Sequence, residues 1–203
     1  MKKTIFLIIG MIALSQVLKS QPLFGFKAGV NLANQVKTIS LPQNATSIEQ
    51  DTKFFIGYQL GGFYKLKVHG NLFVSGEVNF SVIGSSMTLF TTDGETHNAH
   101  EKLGYIEVPL TIQYRINKIY FGAGPGVGFK IFSKITNFQN SSYDIPYYKT
   151  LDAAANVLAG YNVSKKLDVN VRYSHGLVNL FKEAGYAETK NKYFNFSVLF
   201  FLQ

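Results

Sequence analysis

The 203-residue chain contains no cysteine and no tryptophan. Without cysteine there is neither a disulfide framework nor a zinc-thiolate site. Charged residues are scarce at 16%, against 46% apolar and 15% aromatic residues. That balance excludes a charge-rich disordered chain, which lacks the apolar surface to form a core. Beyond the first twenty residues there is no run of 18 consecutive apolar residues, which excludes a bundle of membrane-spanning helices. The formal charge is +8, yet lysine and arginine do not cluster beside stacking or base-reading groups, so no nucleic-acid partner is expected.

What is present begins with a short basic start, Met1-Lys2-Lys3, followed by the apolar run Thr4–Leu14. The run is too short to anchor a chain in a bilayer and has the form of an export signal. Residues 1–20 are expected to be a signal peptide cleaved near Ser20, leaving 21–203 as one domain.

From Leu23 onward the sequence alternates with period two in eight segments. One row of each is apolar: Phe24, Phe26, Ala28, Val30 and Leu32 in the first segment, and Phe194, Phe196, Val198, Phe200 and Leu202 in the last. None of the eight apolar rows holds Asp, Glu, Lys or Arg. The opposite rows hold Lys27, Lys65, Glu77, Glu107, Arg115, Lys130, Asp152, Asp168 and Arg172.

Alternation alone does not say which row faces outward, but the connectors do. Short ones (67–71, 117–118 and 164–166) alternate strictly with long ones (34–53, 84–102, 132–150 and 178–192). This is the pattern of an outer-membrane barrel with short periplasmic turns and long outer loops. The expected fold is therefore all-β: an eight-stranded antiparallel up-and-down transmembrane β-barrel, apolar row toward lipid and charged row inside. Phe24, Tyr64, Tyr114, Phe121 and Tyr161 fall near the turn side and Phe54, Phe129 and Phe194 near the loop side, as interfacial girdles would.

Charges inside a narrow barrel must pair. Lys27, Glu77, Glu107 and Arg172 lie near mid-height and, with Arg115, are expected to form an interior structural ion-pair network near Tyr105, Asn79 and Asn156. Gly122, Gly124, Gly126 and Gly128 face inward and leave room for large neighbours such as Tyr105 or Arg115. Pro109 and Pro125 each remove a ladder donor, so a local break is expected between the fourth and fifth strands. The charges of the short turns are Lys67, Lys118, Lys165 and Lys166, a basic periplasmic collar suited to anionic phospholipid.

Catalytic signals are weak. Ser174 and His175 are adjacent and so point to opposite faces. His175 lacks a serine two positions away, where Tyr173 and Leu177 stand. Asp93, Glu95, His97, His100 and Glu101 in the second long connector have no regular metal-ligand spacing. No catalytic residue, cofactor or metal site is expected.

The fragments YIEVPLTIQYR (Tyr105–Arg115), GFKAGVNLA (Gly25–Ala33), VSGEVNFSVIGSS (Val74–Ser86), YFGAGPGVGF (Tyr120–Phe129) and LDVNVRYSHGLVNL (Leu167–Leu180) resemble, in order and spacing, the PorT-like outer-membrane β-barrel family of Gram-negative bacteria. The resemblance covers essentially the whole chain after residue 20 and implies an eight-stranded barrel in the outer membrane. It carries no catalytic residues and no specific secretion role. The chain departs from many such barrels in ending Phe201-Leu202-Gln203 rather than on an aromatic residue.

The expected function is that of a small non-enzymatic barrel with four long extracellular loops and a structural, adhesion or docking role in the cell envelope. Its partners would be outer-membrane lipids and another envelope protein reached through loops 34–53, 84–102, 132–150 and 178–192. A lipid-modifying outer-membrane enzyme, a narrow small-solute pore and a soluble ligand barrel are the alternatives.

Overall fold

The computed structural model describes residues 22–39, 48–51, 53–90, 96–136, 142–144, 148–181 and 187–202. The segment read as a signal peptide lies outside them, as do Asp93 and Glu95. Every regular element among the described residues is a strand: β1 (Leu23–Ile39), β2 (Ile48–Asp51), β3 (Phe55–His69), β4 (Leu72–Phe90), β5 (Thr96–Ile116), β6 (Ile119–Thr136), β7 (Ser142–Asp144), β8 (Leu151–Ser164), β9 (Leu167–Gly176) and β10 (Ala187–Phe201).

Eight of these pair with both neighbours, antiparallel, in the order β1-β3-β4-β5-β6-β8-β9-β10, and β10 returns to β1. The closing ladder runs from Gly25 opposite Phe201 to Ile39 opposite Ala187. Closure leaves no unpaired edge across the wall, as a strand structure needs in hydrocarbon. The fold is thus a closed eight-stranded antiparallel barrel. The short β2 and β7 belong to the first and third long connectors and pair only with β1 and β6.

The period-two rows sort as their chemistry requires. Phe26, Ile56, Tyr58, Leu60, Val78, Leu110, Ile112, Phe121, Val157 and Phe200 are exposed on the outer wall, while Lys27, Gln59, Ser75, Glu77, Asn79, Asp168 and Arg172 are buried within. Charge on a lipid-facing row is destabilising by about 2–4 kcal/mol at mid-bilayer, which accounts for its absence there. All eight girdle aromatics are exposed, and Phe24 lies opposite Tyr64, as Tyr114 does Phe121.

The tight turns fall at Gly70–Asn71, Asn117–Lys118 and Lys165–Lys166. Gly70 and Asn117 adopt left-handed backbone, φ 53° and 56°, which glycine and asparagine tolerate best. The ladders skip residues around the two prolines. Leu110–Thr111 are not paired with Gly124–Pro125, and Glu77–Val78 are not paired with Val108–Pro109.

The strands outrun their apolar stretches. Apart from the break at Glu77–Val78, β4 and β5 are paired from Leu72 opposite Tyr114 to Phe90 opposite Thr96, so most of 84–102, expected as loop, is hairpin. The alternation stops where lipid stops, but backbone pairing needs no apolar side chains and continues.

Candidate functional site

The lumen is filled in three levels. At the short-turn end Phe63, Leu199 and Phe201 form a buried apolar cluster backed by Leu23, with the Phe63 and Phe201 rings edge-to-face at 5.0 Å. Lys65 reaches across to Asp168, Nζ to Oδ2 3.5 Å. Its ammonium also sits 4.5 Å from the Tyr120 ring centroid and 5.5 Å from that of Phe201. The Asn162 amide donates to the other Asp168 oxygen at 2.6 Å. Lysine, aspartate and the rings come from β3, β6, β9 and β10, so this pair is a tie across the lumen.

At mid-height Glu77 is the hub. Its Oε2 accepts from Lys27 Nζ at 3.0 Å and from Asn79 Nδ2 at 3.0 Å, and its Oε1 accepts from Arg172 Nη2. Lys27, Glu77 and Arg172 are 2%, 4% and 2% exposed, so the ionic contacts are screened little by solvent. Three elements, β1, β4 and β9, meet at one carboxylate. Glu107 makes no direct ion pair with this group, but Arg172 and Lys27 lie close enough to act on it electrostatically. It is held by neutral donors, Gln59 Nε2 at 3.0 Å and the Tyr193 hydroxyl at 2.7 Å.

Arg115 is placed elsewhere. It lies near the short turn, with its guanidinium 4.7 Å over the Phe73 ring. Residue 115 is two positions from the Asn117 turn, whereas Glu77 is well inside its strand. The shared inward row therefore does not bring the two to one level.

Toward the outer end, Asn191 Nδ2 donates to Asp152 Oδ2 at 2.9 Å and lies 3.4 Å from the Tyr105 hydroxyl. Gln35 bridges Ser85 and Glu101, accepting at 3.2 Å and donating at 3.1 Å. Above them Tyr148 and Leu180, from the third and fourth long connectors, pack into a buried cluster with Ala33, Ile83, Leu103, Tyr105 and Tyr193. Lys130 Nζ donates to the Tyr148 carbonyl at 2.8 Å, and Lys149 N–H to the Leu180 carbonyl at 2.6 Å. These contacts seat connector segments in the barrel mouth.

The inward glycines accommodate bulky neighbours. A Cβ on Gly128 would come 3.2 Å from Tyr105, and one on Gly160 would run into the Tyr120 ring. Between Tyr105, Glu107, Asp152, Asn156 and Tyr193 there remains a cavity of about 30 Å³, room for roughly two waters.

Ser174 and His175 do point to opposite sides. The Ser174 hydroxyl donates inward to Asn156 Oδ1 at 2.6 Å, while His175 Nδ1 meets the Tyr173 hydroxyl at 3.2 Å on the outer wall. His100 and Glu101 also diverge: Glu101 turns inward to Gln35, and His100 Nδ1 lies 2.9 Å from Ser86 Oγ. That serine–histidine contact was not foreseen, because it depends on the β4–β5 hairpin in a stretch read as loop. No third group among the described residues hydrogen-bonds its ring. No group of three or more metal-ligating side chains is present among the described residues.

The family model described as the outer membrane protein beta-barrel domain matches residues 15–182. The chain belongs to this family. It is thus an outer-membrane β-barrel protein, and the closed eight-stranded wall is its membrane-crossing unit. Solved structures similar to it include Ail, the attachment invasion locus protein of Yersinia pestis, in complex with the heparin analogue sucrose octasulfate. The identity is 12% over 90% of this chain and 99% of that one, with a TM-score of 0.47. Neisserial surface protein A is similar at 11% identity over 87% of this chain and 96% of that one, TM-score 0.49. The outer membrane protein AlkL is similar at 12% identity over 88% and 90%, TM-score 0.34. No curated protein matches the chain.

Proposed function

We propose that this outer-membrane barrel is a closed, non-enzymatic anchor that presents connectors 34–53, 84–102, 132–150 and 178–192 outside the cell, for adhesion or docking to another envelope protein. The observation that carries the reading is the filled lumen. Apolar clusters close both ends, and an ion-paired layer lies between them. Such packing among the described residues argues against passage of solutes and favours the outer connectors and the two rims as the surfaces that meet partners. Among the described residues, the β4–β5 hairpin extends well beyond its apolar stretch.

Deleting the connectors one at a time, with folding checked by the heat-dependent gel shift of barrels, tests this. Loss of cell or partner binding in at least one folded deletion is expected. Unchanged binding in all four would refute it. Within the family the ordered fragments around Tyr105–Arg115 favour the PorT-like group of Gram-negative bacteria. The same reading takes 1–20 as removed on export, which N-terminal sequencing of the membrane-inserted protein would show.

One observation favours a lipid-modifying enzyme as second reading, the Ser86–His100 contact on the outward face. A nucleophile–base pair needs a third group to orient the base. Replacement of either residue by alanine is therefore expected to leave the outer-membrane lipid profile unchanged, and an altered profile would promote this reading over the first.

A further inference from the structure

The outer wall is not evenly thick. Over β8, β9 and β10, next to the short turns, lies a groove of about 650 Å³. Its lining combines the smaller Ala159, Val169, Val171 and Val198 with the larger Ile119, Tyr161 and Phe196. Ala159 is opposite Val171, and Val169 is opposite both Tyr161 and Val198. The groove therefore occupies the last rungs before the β8–β9 turn.

That turn is Lys165–Lys166, and the Asn162 N–H donates to the Lys118 carbonyl at 2.7 Å, drawing the β5–β6 turn alongside. Lys118, Lys165 and Lys166 are all exposed. Among the described residues no ion pair reaches any of them. The acid nearest in sequence, Asp168, is fully buried and turned inward to Lys65 and Asn162. Among the described residues, three cations thus stand without an acidic partner beside an apolar groove that opens onto lipid.

We propose that this is a site for one anionic phospholipid of the leaflet next to the short turns. An acyl chain lies between Tyr161 and Phe196, and the headgroup phosphate rests among Lys118, Lys165 and Lys166. Two independent complementarities meet here. The groove is apolar and borders hydrocarbon, and the basic turns attract anionic headgroups. Tyr161 adds an exposed amphipathic ring of the kind enriched at membrane–water boundaries. A second groove of about 520 Å³, beside Phe24, Phe26, Tyr64 and Val78, lies toward the β3–β4 turn, where Lys67, near the end of β3, is the exposed lysine. It supplies an internal comparison. The inference rests on the membrane reading of the barrel and adds to it a lipid class and a place.

The test is native mass spectrometry of the full barrel in mild non-ionic detergent, offered phosphatidylglycerol and phosphatidylethanolamine with matched acyl chains. One retained phosphatidylglycerol is expected, favoured over phosphatidylethanolamine by roughly tenfold or more. The combined Lys118→Gln, Lys165→Gln and Lys166→Gln variant should lose the preference. Ala159→Phe, which fills the groove, should lose retention of either lipid, and Lys67→Gln should behave as wild type. The gel shift identifies variants that have folded.

Equal retention of the two lipids by the wild-type barrel would overturn the site, as would a preference that survives the triple variant. A loss in Lys67→Gln as large as in the triple variant would replace it with a diffuse collar. A wild-type chain that leaves membranes without detergent and takes up neither lipid would instead defeat the membrane reading beneath it.

Discussion

Replacing Glu77 by glutamine keeps the side-chain volume and removes one charge. In the native barrel both carboxylate oxygens are in use, one toward Arg172 and the other toward Lys27 and Asn79, the latter two at 3.0 Å. Losing one partner of a buried ion pair costs about 3–5 kcal/mol, because the other charge is left without compensation. Here one substitution strands two cations. Their mutual repulsion already exists in the native barrel, so what the substitution removes is the carboxylate that offsets it. The amide returns part of this, since its oxygen can still accept from one of them. The net expectation is about 4–6 kcal/mol, a large fraction of the ~5–15 kcal/mol that holds a domain folded.

Lys27→Met is the comparison. It removes a cation and leaves Glu77 paired with Arg172 and bonded to Asn79, so about 1–2 kcal/mol is expected. The double variant strands only Arg172 and should fall between the two single variants. It would show strong non-additivity, as expected for residues sharing one network. The chain has no tryptophan, so urea unfolding in lipid vesicles is best followed by far-ultraviolet circular dichroism and by gel mobility. A Glu77→Gln barrel no less stable than Lys27→Met would refute the assignment of Glu77 as hub of the lumen.

Four further substitutions probe the other levels. Asp168→Asn leaves Lys65 with the Tyr120 and Phe201 rings but no carboxylate. A loss of about 2–3 kcal/mol in the same unfolding assay is expected, smaller than for Glu77→Gln because one cation is stranded rather than two. Gly160→Ala drives a Cβ into the buried Tyr120 ring and should cost about 1–3 kcal/mol. Tyr120→Leu placed on top should cost less than it does alone, and simple additivity would show that the close approach is relieved elsewhere. Tyr148→Ala opens the outer cap but leaves the mid-height and short-turn layers intact. Planar-bilayer recordings should therefore stay silent for both wild type and variant, and steady conductance from either would count against the filled lumen.

The side on which each residue sits was legible in the sequence, because a period of two is the geometry of a strand and lipid tolerates no charge on its row. Height was less legible. Arg115 and Glu77 share the inward row, yet only a count of rungs from the turn separates them. Partners across the lumen were not legible at all for Lys65 and Asp168, which lie on strands 103 residues apart in the chain. Glu107 shows the same limit in another form. A buried carboxylate suggests a cation, but the donors that hold it, Gln59, Tyr193 and Ser81, are neutral and carry no charge signal. Glu101 and the Ser86–His100 contact were missed for one shared reason. Both lie where the apolar row ends and the hydrogen-bonded hairpin does not.

The small residues separate what folding demands from what it leaves free. Inside, Gly128 and Gly160 are small because Tyr105 and Tyr120 occupy the space beside them. Outside, no protein side chain imposes such a limit. Leucine, isoleucine or phenylalanine would satisfy hydrocarbon as well as alanine does, and they line much of the wall, as at Ile56, Leu60, Leu110 and Phe121. Yet β8 offers the lipid Ala153, Ala155 and Ala159 in one row, and the valines of β9 and β10 continue the shallow strip beside it. What fills a hollow on that face must come from the membrane. The lysines gathered at one end of the hollow then decide which of the membrane's molecules fits it best.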